Sequence, residues 1–223
     1  MTVAKQTCWR QERASCAMGG SLTRANEAFS SPQRLMEFCV CMTVTRAEEG
    51  TFQLKQTISL PGVEGRIDHF AFDPTGERLF VCALGNNTVE VLDLRKGERV
   101  HSIIGLGAPQ GVGYAPQLNR LFVANDNGGV CKIYDGKSFQ VVGELRFEDD
   151  ADNVRYDETS QKIYVGFGRG GIAVVNAPDG KQVGFIKLSA HPEAFQLEKK
   201  GSRIFVNVPN SRHVGWSIAI KTR

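Results

Sequence analysis

The chain has 223 residues, enough for a sizeable core, and its net charge of +3 is spread along the sequence. Lys and Arg interleave with Asp and Glu, mostly in predicted turns, which argues against the basic stripe of a nucleic-acid-binding domain. No stretch is long and apolar enough to read as a membrane-spanning helix.

Residues 1–48 differ in composition from the rest of the chain. They hold Cys8, Cys16, Cys39 and Cys41, four of the six cysteines, and show no repeat. The segment lacks the early basic patch and uninterrupted apolar core of an ordinary signal peptide. Leu35 to Val44 is apolar apart from Glu37 and Thr43, but too short to span a bilayer. Cys39-x-Cys41 supplies at most half of a tetrahedral metal site, and no Cys or His pair sits at a matching spacing. A disulfide among the four stays open for an exported chain. The expectation is an atypical leader or a misassigned start over 1–48, mostly without fixed structure, and a folded domain over 49–223.

Residues 52–60 read as a lone strand. Beyond them stand four copies of one pattern, anchored at Leu79-Phe80-Val81, Leu121-Phe122-Val123, Ile163-Tyr164-Val165 and Ile204-Phe205-Val206, at spacings of 42, 42 and 41 residues. Each copy opens with an apolar strand around Phe70, Val112, Val154 or Phe195. A polar turn such as Asp73-Pro74-Thr75-Gly76 leads to the anchor strand. A turn rich in Asn, Asp and Gly comes next, then an alternating third strand (Val89, Val91; Val130, Ile133; Ile172, Val174). Lys96-Gly97, Gly136-Lys137 and Asp179-Gly180 turn the chain into fourth strands over Val100–Ile104, Val141–Leu145 and Val183–Leu188. The units run over about 67–105, 109–147, 151–188 and 192–223. In the last, Gly215 to Ile220 does not continue the pattern well. Cys82 and Cys131 fall inside strands and read as core.

A fixed period in this range marks a repeat architecture. Four short strands in about 42 residues match a β-propeller blade. A β-sandwich spaces its strands similarly but has no reason to repeat its sequence. The expected class is all-β: a β-propeller with four-stranded antiparallel blades, about four of them present.

Specific residues carry a family resemblance. They are Arg66-Ile67-Asp68-His69, the run Ala83-Leu84-Gly85-Asn86-Asn87-Thr88-Val89-Glu90-Val91-Leu92-Asp93, and Arg120-Leu121-Phe122-Val123-Ala124-Asn125. Asp152-Asn153-Val154-Arg155-Tyr156 and Arg203-Ile204-Phe205-Val206-Asn207-Val208-Pro209 extend it. From Phe52 to about His213 the chain resembles the YVTN-type propeller repeat family and is close to the YncE-like proteins. The resemblance implies a seven-bladed ring and a periplasmic or extracellular protein. Seven blades would need about 290 residues at this period. Either the chain is part of a larger ring, or residues 54–60 close a four-bladed one. Open blade edges would otherwise favour self-association.

In a propeller the first strand of each blade lines the central channel. Two residues before Phe70, Val112, Val154 and Phe195 stand Asp68, Gln110, Asp152 and Glu193, a column of acids and amides. His69, Asn153, His191, Arg66 and Asp150 flank it. Carboxylates about 7 Å apart repel by roughly 2 kcal/mol at an effective dielectric near 20, so a cation, an arginine, a histidinium or water must offset them. Asp68, Asp152 and Glu193 are candidate oxygen ligands for Ca²⁺ or Mg²⁺. The same residues would serve equally to bond backbone amides of neighbouring blades. Asn86, Asn87, Asn125, Asp126, Arg169, Asn210 and Arg212 lie in loops expected at the same mouth. Gly166 to Gly171 is followed by a strand pattern, not the helix that a dinucleotide loop needs. Asn86-Asn87-Thr88 is formally a glycosylation sequon that hairpin chemistry explains.

No nucleophile stands out. The expected function is a non-enzymatic binding scaffold of the cell envelope, for an unknown protein or small molecule. Asp68, His69, Gln110, Asp152, Asn153, His191 and Glu193 would form its binding face. The alternative is a metal-dependent hydrolase of lactonase type at the same mouth, with a divalent ion activating water. An electron-transfer role has no haem or quinone attachment motif to support it.

Overall fold

The computed structural model describes residues 52–218. Blade 1 comprises β1 (Phe70–Asp73), β2 (Arg78–Ala83), β3 (Thr88–Asp93) and β4 (Glu98–Ile103). Blade 2 comprises β5 (Pro109–Ala115), β6 (Arg120–Asn125), β7 (Val130–Asp135) and β8 (Val141–Arg146). Blade 3 comprises β9 (Ala151–Asp157), β10 (Lys162–Phe167), β11 (Gly171–Asn176) and β12 (Lys181–Lys187). Blade 4 holds β13 (Ala194–Leu197), β14 (Arg203–Val208) and β15 (His213–Ile218). Three sheets have four strands and the last has three, each antiparallel in sequence order. No helix among the described residues is long and apolar enough to cross a membrane.

The turns depend on aspartates at strand ends. Asp73 Oδ1 accepts from the backbone N–H of Thr75 (3.0 Å) and Gly76 (3.1 Å), and Asp93 and Asp135 do the same two and three residues on. Such Asx turns satisfy turn amides locally and set the start of the next strand.

Alternation along the strands gives each blade two apolar faces. Phe80, Cys82, Val89 and Val91 of blade 1 pack on Val112, Tyr114, Leu121 and Val123 of blade 2. Phe122, Cys131 and Ile133 of blade 2 meet Val154, Ile163 and Val165 of blade 3. Tyr164 and Ile172 of blade 3 meet Phe195, Ile204 and Val206 of blade 4. Cys82 and Cys131 are fully buried in this core, and burial pushes the Cys131 thiol up to about 12.

A polar bond repeats beside the first two joints. Arg78 Nη1 donates to Gly136 O of the next blade (2.6 Å), while its Nη2 donates to Tyr114 Oη (2.9 Å) and its Nε to Asp73 Oδ2 (2.8 Å). Arg120, at the same place in blade 2, donates to Ala177 O of blade 3 (3.0 Å). The arginine that opens each of these two anchor strands is therefore a coupling to the following blade.

The structure corrects two of the sequence expectations. Residues 52–60 form no strand and join no sheet; Leu54 is exposed, and the path runs beside blade 1, where Arg99 Nη2 donates to Pro61 O (3.0 Å). The final unit does not lose its pattern at Gly215: β15 pairs with β14 from His213 to Ile218, because backbone pairing tolerates glycine between Val214 and Trp216. The leader, Cys39-x-Cys41 and a disulfide among the four early cysteines lie outside the described residues.

Candidate functional site at the channel mouth

The first strands β1, β5, β9 and β13 stand side by side at the centre, each in contact with the next. Near their starts the ladders are irregular. The pairing of β5 with β6 shifts at Gln110, and that of β9 with β10 shifts where Asp152 and Asn153 face Gly166. Before β1, Cys82 accepts from Asp68 N (2.8 Å) and donates to His69 O (2.9 Å), so two residues again oppose one. Consecutive residues in a regular strand point to opposite faces; a bulge lets both be aimed at one place. Asp68–His69 and Asp152–Asn153 reach the mouth by this device.

The inner strands approach closely here. A Cβ at Gly111 would lie 1.9 Å from Asp152 O. Only glycine permits that backbone approach.

The polar groups form one network. Asn153 Nδ2 donates to Glu193 O at 2.8 Å and lies 3.1 Å from His69 Nε2. Two amide hydrogens thus meet two acceptors, which fixes the amide orientation and puts the His69 ring proton on Nδ1. His69 Nδ1 is 2.9 Å from Asp68 Oδ1 and 3.9 Å from Asp152 Oδ1, but its N–H is directed at neither. Arg66 pairs with the other oxygen of Asp68. Gln110 Nε2 donates to Asp150 Oδ1 (3.1 Å).

His191 sits between two carboxylates. Its Nδ1 donates to Gly168 O (2.7 Å) and lies 3.6 Å from Asp150 Oδ2; its Nε2 is 3.8 Å from Asp152 Oδ2. The last separation is that of an ion pair and too long for a hydrogen bond. Asp152, the Gly168 carbonyl and Asp150 together outweigh burial and raise the imidazole to about 9, so it is a cation at neutral pH. Burial raises the Asp150 carboxyl, with the His191 charge opposing. Burial likewise lowers the Arg155 guanidinium, which lies 5.7 Å from the Phe195 ring centroid.

Among the described residues, three polar side-chain atoms are buried with no hydrogen-bond partner: His69 Nδ1, Asp152 Oδ1 and Asn153 Oδ1. Asp152 and Asn153 are themselves buried residues. Two of them, His69 Nδ1 and Asp152 Oδ1, lie 3.9 Å apart, and His69 also lines a cleft of about 500 Å³ with Asp68, Phe70, Tyr114, Val154 and Arg155 among others. A second cleft, of about 450 Å³, lies at the far end among turns, where Glu198 and Arg203 pair with each other.

Of the column, Asp68 and Asp152 are brought together, with the flanking His69, Asn153 and His191 beside them. Gln110 joins through Asp150. Glu193 contributes its backbone carbonyl, while its side chain is exposed. The carboxylates of Asp68, Asp152 and Glu193 therefore do not converge, and among the described residues no three His, Cys, Asp or Glu side chains are placed as metal ligands. Ca²⁺ takes six to eight oxygens; two orphan oxygens beside an imidazolium do not fit it or Mg²⁺. The loop asparagines are spent on structure: Asn87 Oδ1 accepts from Ala108 N (2.9 Å) and Asn125 Oδ1 from Gly107 N (3.2 Å). Arg169 is exposed.

No protein-family model matches the chain. Among solved structures it is similar to hydrazine synthase of Kuenenia stuttgartiensis, with a TM-score of 0.63 and 18% identity over 76% of this chain and 49% of that one. It is also similar to Sqt1 of Saccharomyces cerevisiae, with a TM-score of 0.57 and 12% identity over 65% of this chain and 43% of that one. At such identities the likeness shows the fold alone. The chain is an all-β protein of β-propeller blades, and it spans about half the length of these similar chains.

Proposed function

We propose that this chain is a non-enzymatic propeller binding module whose channel mouth takes a small polar ligand with at least two hydrogen-bond donors and one acceptor. The observation that carries this reading is the set of three buried, unpartnered polar atoms on His69, Asp152 and Asn153. Buried polar groups left without partners cost roughly 1–3 kcal/mol each, and a complementary ligand recovers that cost on binding. Binding rather than turnover is favoured because His69 Nε2 and His191 Nδ1 are both committed within the protein, to Asn153 and Gly168 O. The YVTN-type motifs support membership of that family and a place in the cell envelope, as part of a larger ring.

A thermal-shift series with small amines, guanidinium compounds and polyols tests the reading. At least one compound should raise the melting temperature in a concentration-dependent way, and Asp152→Ala should abolish the shift. If no compound stabilises the wild type, or the variant responds equally, the polar column only organises the ring.

A further inference from the structure

The joint between blades 3 and 4 is built differently from the two before it. At the earlier joints a tyrosine near the end of the inner strand turns back to the preceding blade. Tyr114 Oη accepts from Arg78 Nη2 of blade 1 (2.9 Å), and Tyr156 Oη donates to Gln117 Oε1 of blade 2 (3.1 Å). In blade 4 the same place on β13 is Leu197, which carries no ring and no hydroxyl. The second cleft, of about 450 Å³, lies at this joint, between Tyr156 and Tyr164 of blade 3 and Leu197 and Ile204 of blade 4. That volume falls within the roughly 300–1,000 Å³ of small-molecule sites.

The residue before that place departs from the repeat as well. Blades 1 and 2 carry Ala71 and Gly113 there, while blade 3 carries Arg155. Blade packing therefore does not require an arginine at this point. Arg155 lines the cleft, with its guanidinium carbon 5.7 Å from the Phe195 ring centroid. The other half-buried arginines are anchored elsewhere in the fold: Arg78 by Asp73 and Gly136 O, Arg99 by Glu90, and Arg120 by Ala177 O. Arg155 Nη1 donates to the carbonyl of its own neighbour, Val154 (2.8 Å), and the side chain makes no ion pair among the described residues. Burial acts against its charge, and a guanidinium drawn out of water without a counter-charge is unfavourable.

The carboxylates that share the cleft are committed to their own turns. Glu198 pairs with Arg203, Asp157 accepts from Thr159 N (3.0 Å) and Ser160 Oγ (2.7 Å), and Glu158 accepts from Gln117 Nε2. Against these three the cleft sets four cations, Arg155, Lys199, Lys200 and Arg203, one more than balance.

We propose that the cleft between blades 3 and 4 binds a small monocarboxylate with a flat apolar body. The carboxylate takes the N–H groups that Arg155 does not use within the protein, since the guanidinium fork matches a planar carboxylate with two parallel bonds. The body fills the space beside Leu197, where the other joints place an aromatic ring. A single negative charge suits a cleft with one cation in excess. Both walls belong to adjacent described blades, and Asp152, Asn153 and His191 of the mouth do not line it. The assignment is therefore independent of any ligand at the mouth.

Sodium benzoate, titrated into the nitrogen-15-labelled full chain against matched sodium chloride, is the test. Saturable shifts are expected at the amides of Leu197 and Gly201 and at Arg155 Nε–H. Arg155→Met should weaken binding about tenfold or more, the loss of a charge-assisted pair. Leu197→Tyr restores the ring of the other joints, so it should abolish binding while the arginine stays in place. Circular dichroism checks that each variant is folded, and Leu197→Tyr decides the matter if Arg155→Met is not. Benzyl alcohol, the same body without the charge, should not bind, and Asp152→Ala should bind benzoate as the wild type does. The proposal is overturned by the absence of saturable shifts with benzoate, by equal binding of benzyl alcohol, or by a folded Leu197→Tyr that binds like the wild type. Tighter binding of inorganic phosphate than of benzoate would overturn the carboxylate assignment.

Discussion

Asn153 and His69, 84 residues apart in sequence, meet across the channel mouth with Nδ2 and Nε2 3.1 Å from each other. The second amide hydrogen goes to Glu193 O, so one side chain ties blade 3 to both blade 1 and blade 4. Asn153→Leu keeps the volume and strands both acceptors. It should destabilise the domain by about 1–3 kcal/mol in urea. Nitrogen-15 spectra should show the His69 proton on Nδ1 in the wild type and a tautomer mixture in the variant.

His191 makes stability depend on pH in a defined direction. Its folded value, about 9, lies above the ordinary 6.5, with Asp152 the leading cause. The stabilisation is fully present below about 6.5 and is lost as pH rises through 9. The wild-type urea midpoint should fall between about pH 7 and pH 10, and His191→Gln should flatten that fall. Equal pH profiles for the two proteins would mean that the imidazolium is not held by the carboxylates.

Asp73 is a buried anchor for the turn after β1 and for Arg78. Burial opposes its charge, yet bonds from Thr75, Arg78 and the turn amides hold its carboxyl below the usual 3.8. Asp73→Ala should cost about 2–3 kcal/mol, since Arg78 and two turn amides lose their acceptor together. Arg78→Lys should cost less in total but uncouple blades 1 and 2, because an ammonium cannot reach Gly136 O, Tyr114 and Asp73 at once. Exchange rates around Gly136 report this.

Gly111→Ala places a methyl group against the Asp152 carbonyl, where neither backbone can move alone. A loss of about 1–3 kcal/mol is expected, with weakened ligand response at the mouth. A neutral substitution would show that β5 and β9 separate more readily than their packing implies.

Strand positions and turn chemistry were legible because period-two alternation and Asp, Asn and Gly at fixed offsets are local signals. The column of Asp68, Gln110 and Asp152 was legible because repeats place equivalent residues at equivalent points. Glu193 was misread: the column predicts its position, while a backbone carbonyl rather than a carboxylate meets the site. Residue spacing carries no sign of the bulges that aim Asp152 and Asn153 together. The cations at 78, 120, 162 and 203 recur in every copy, so their signal was present; only the geometry shows that two of them reach the following blade. Residues 52–60 read as a strand but lack a neighbour within the described blades.

The arginine couplings at Arg78 and Arg120 both run one way, from a blade to its successor. No blade therefore carries information about how many others there are. A unit added or removed in whole periods presents the same front and the same back at these joints, so the lineage of such a chain can lengthen or shorten by duplication and deletion while keeping the joint contacts, and only the contacts across the channel mouth must be rebuilt.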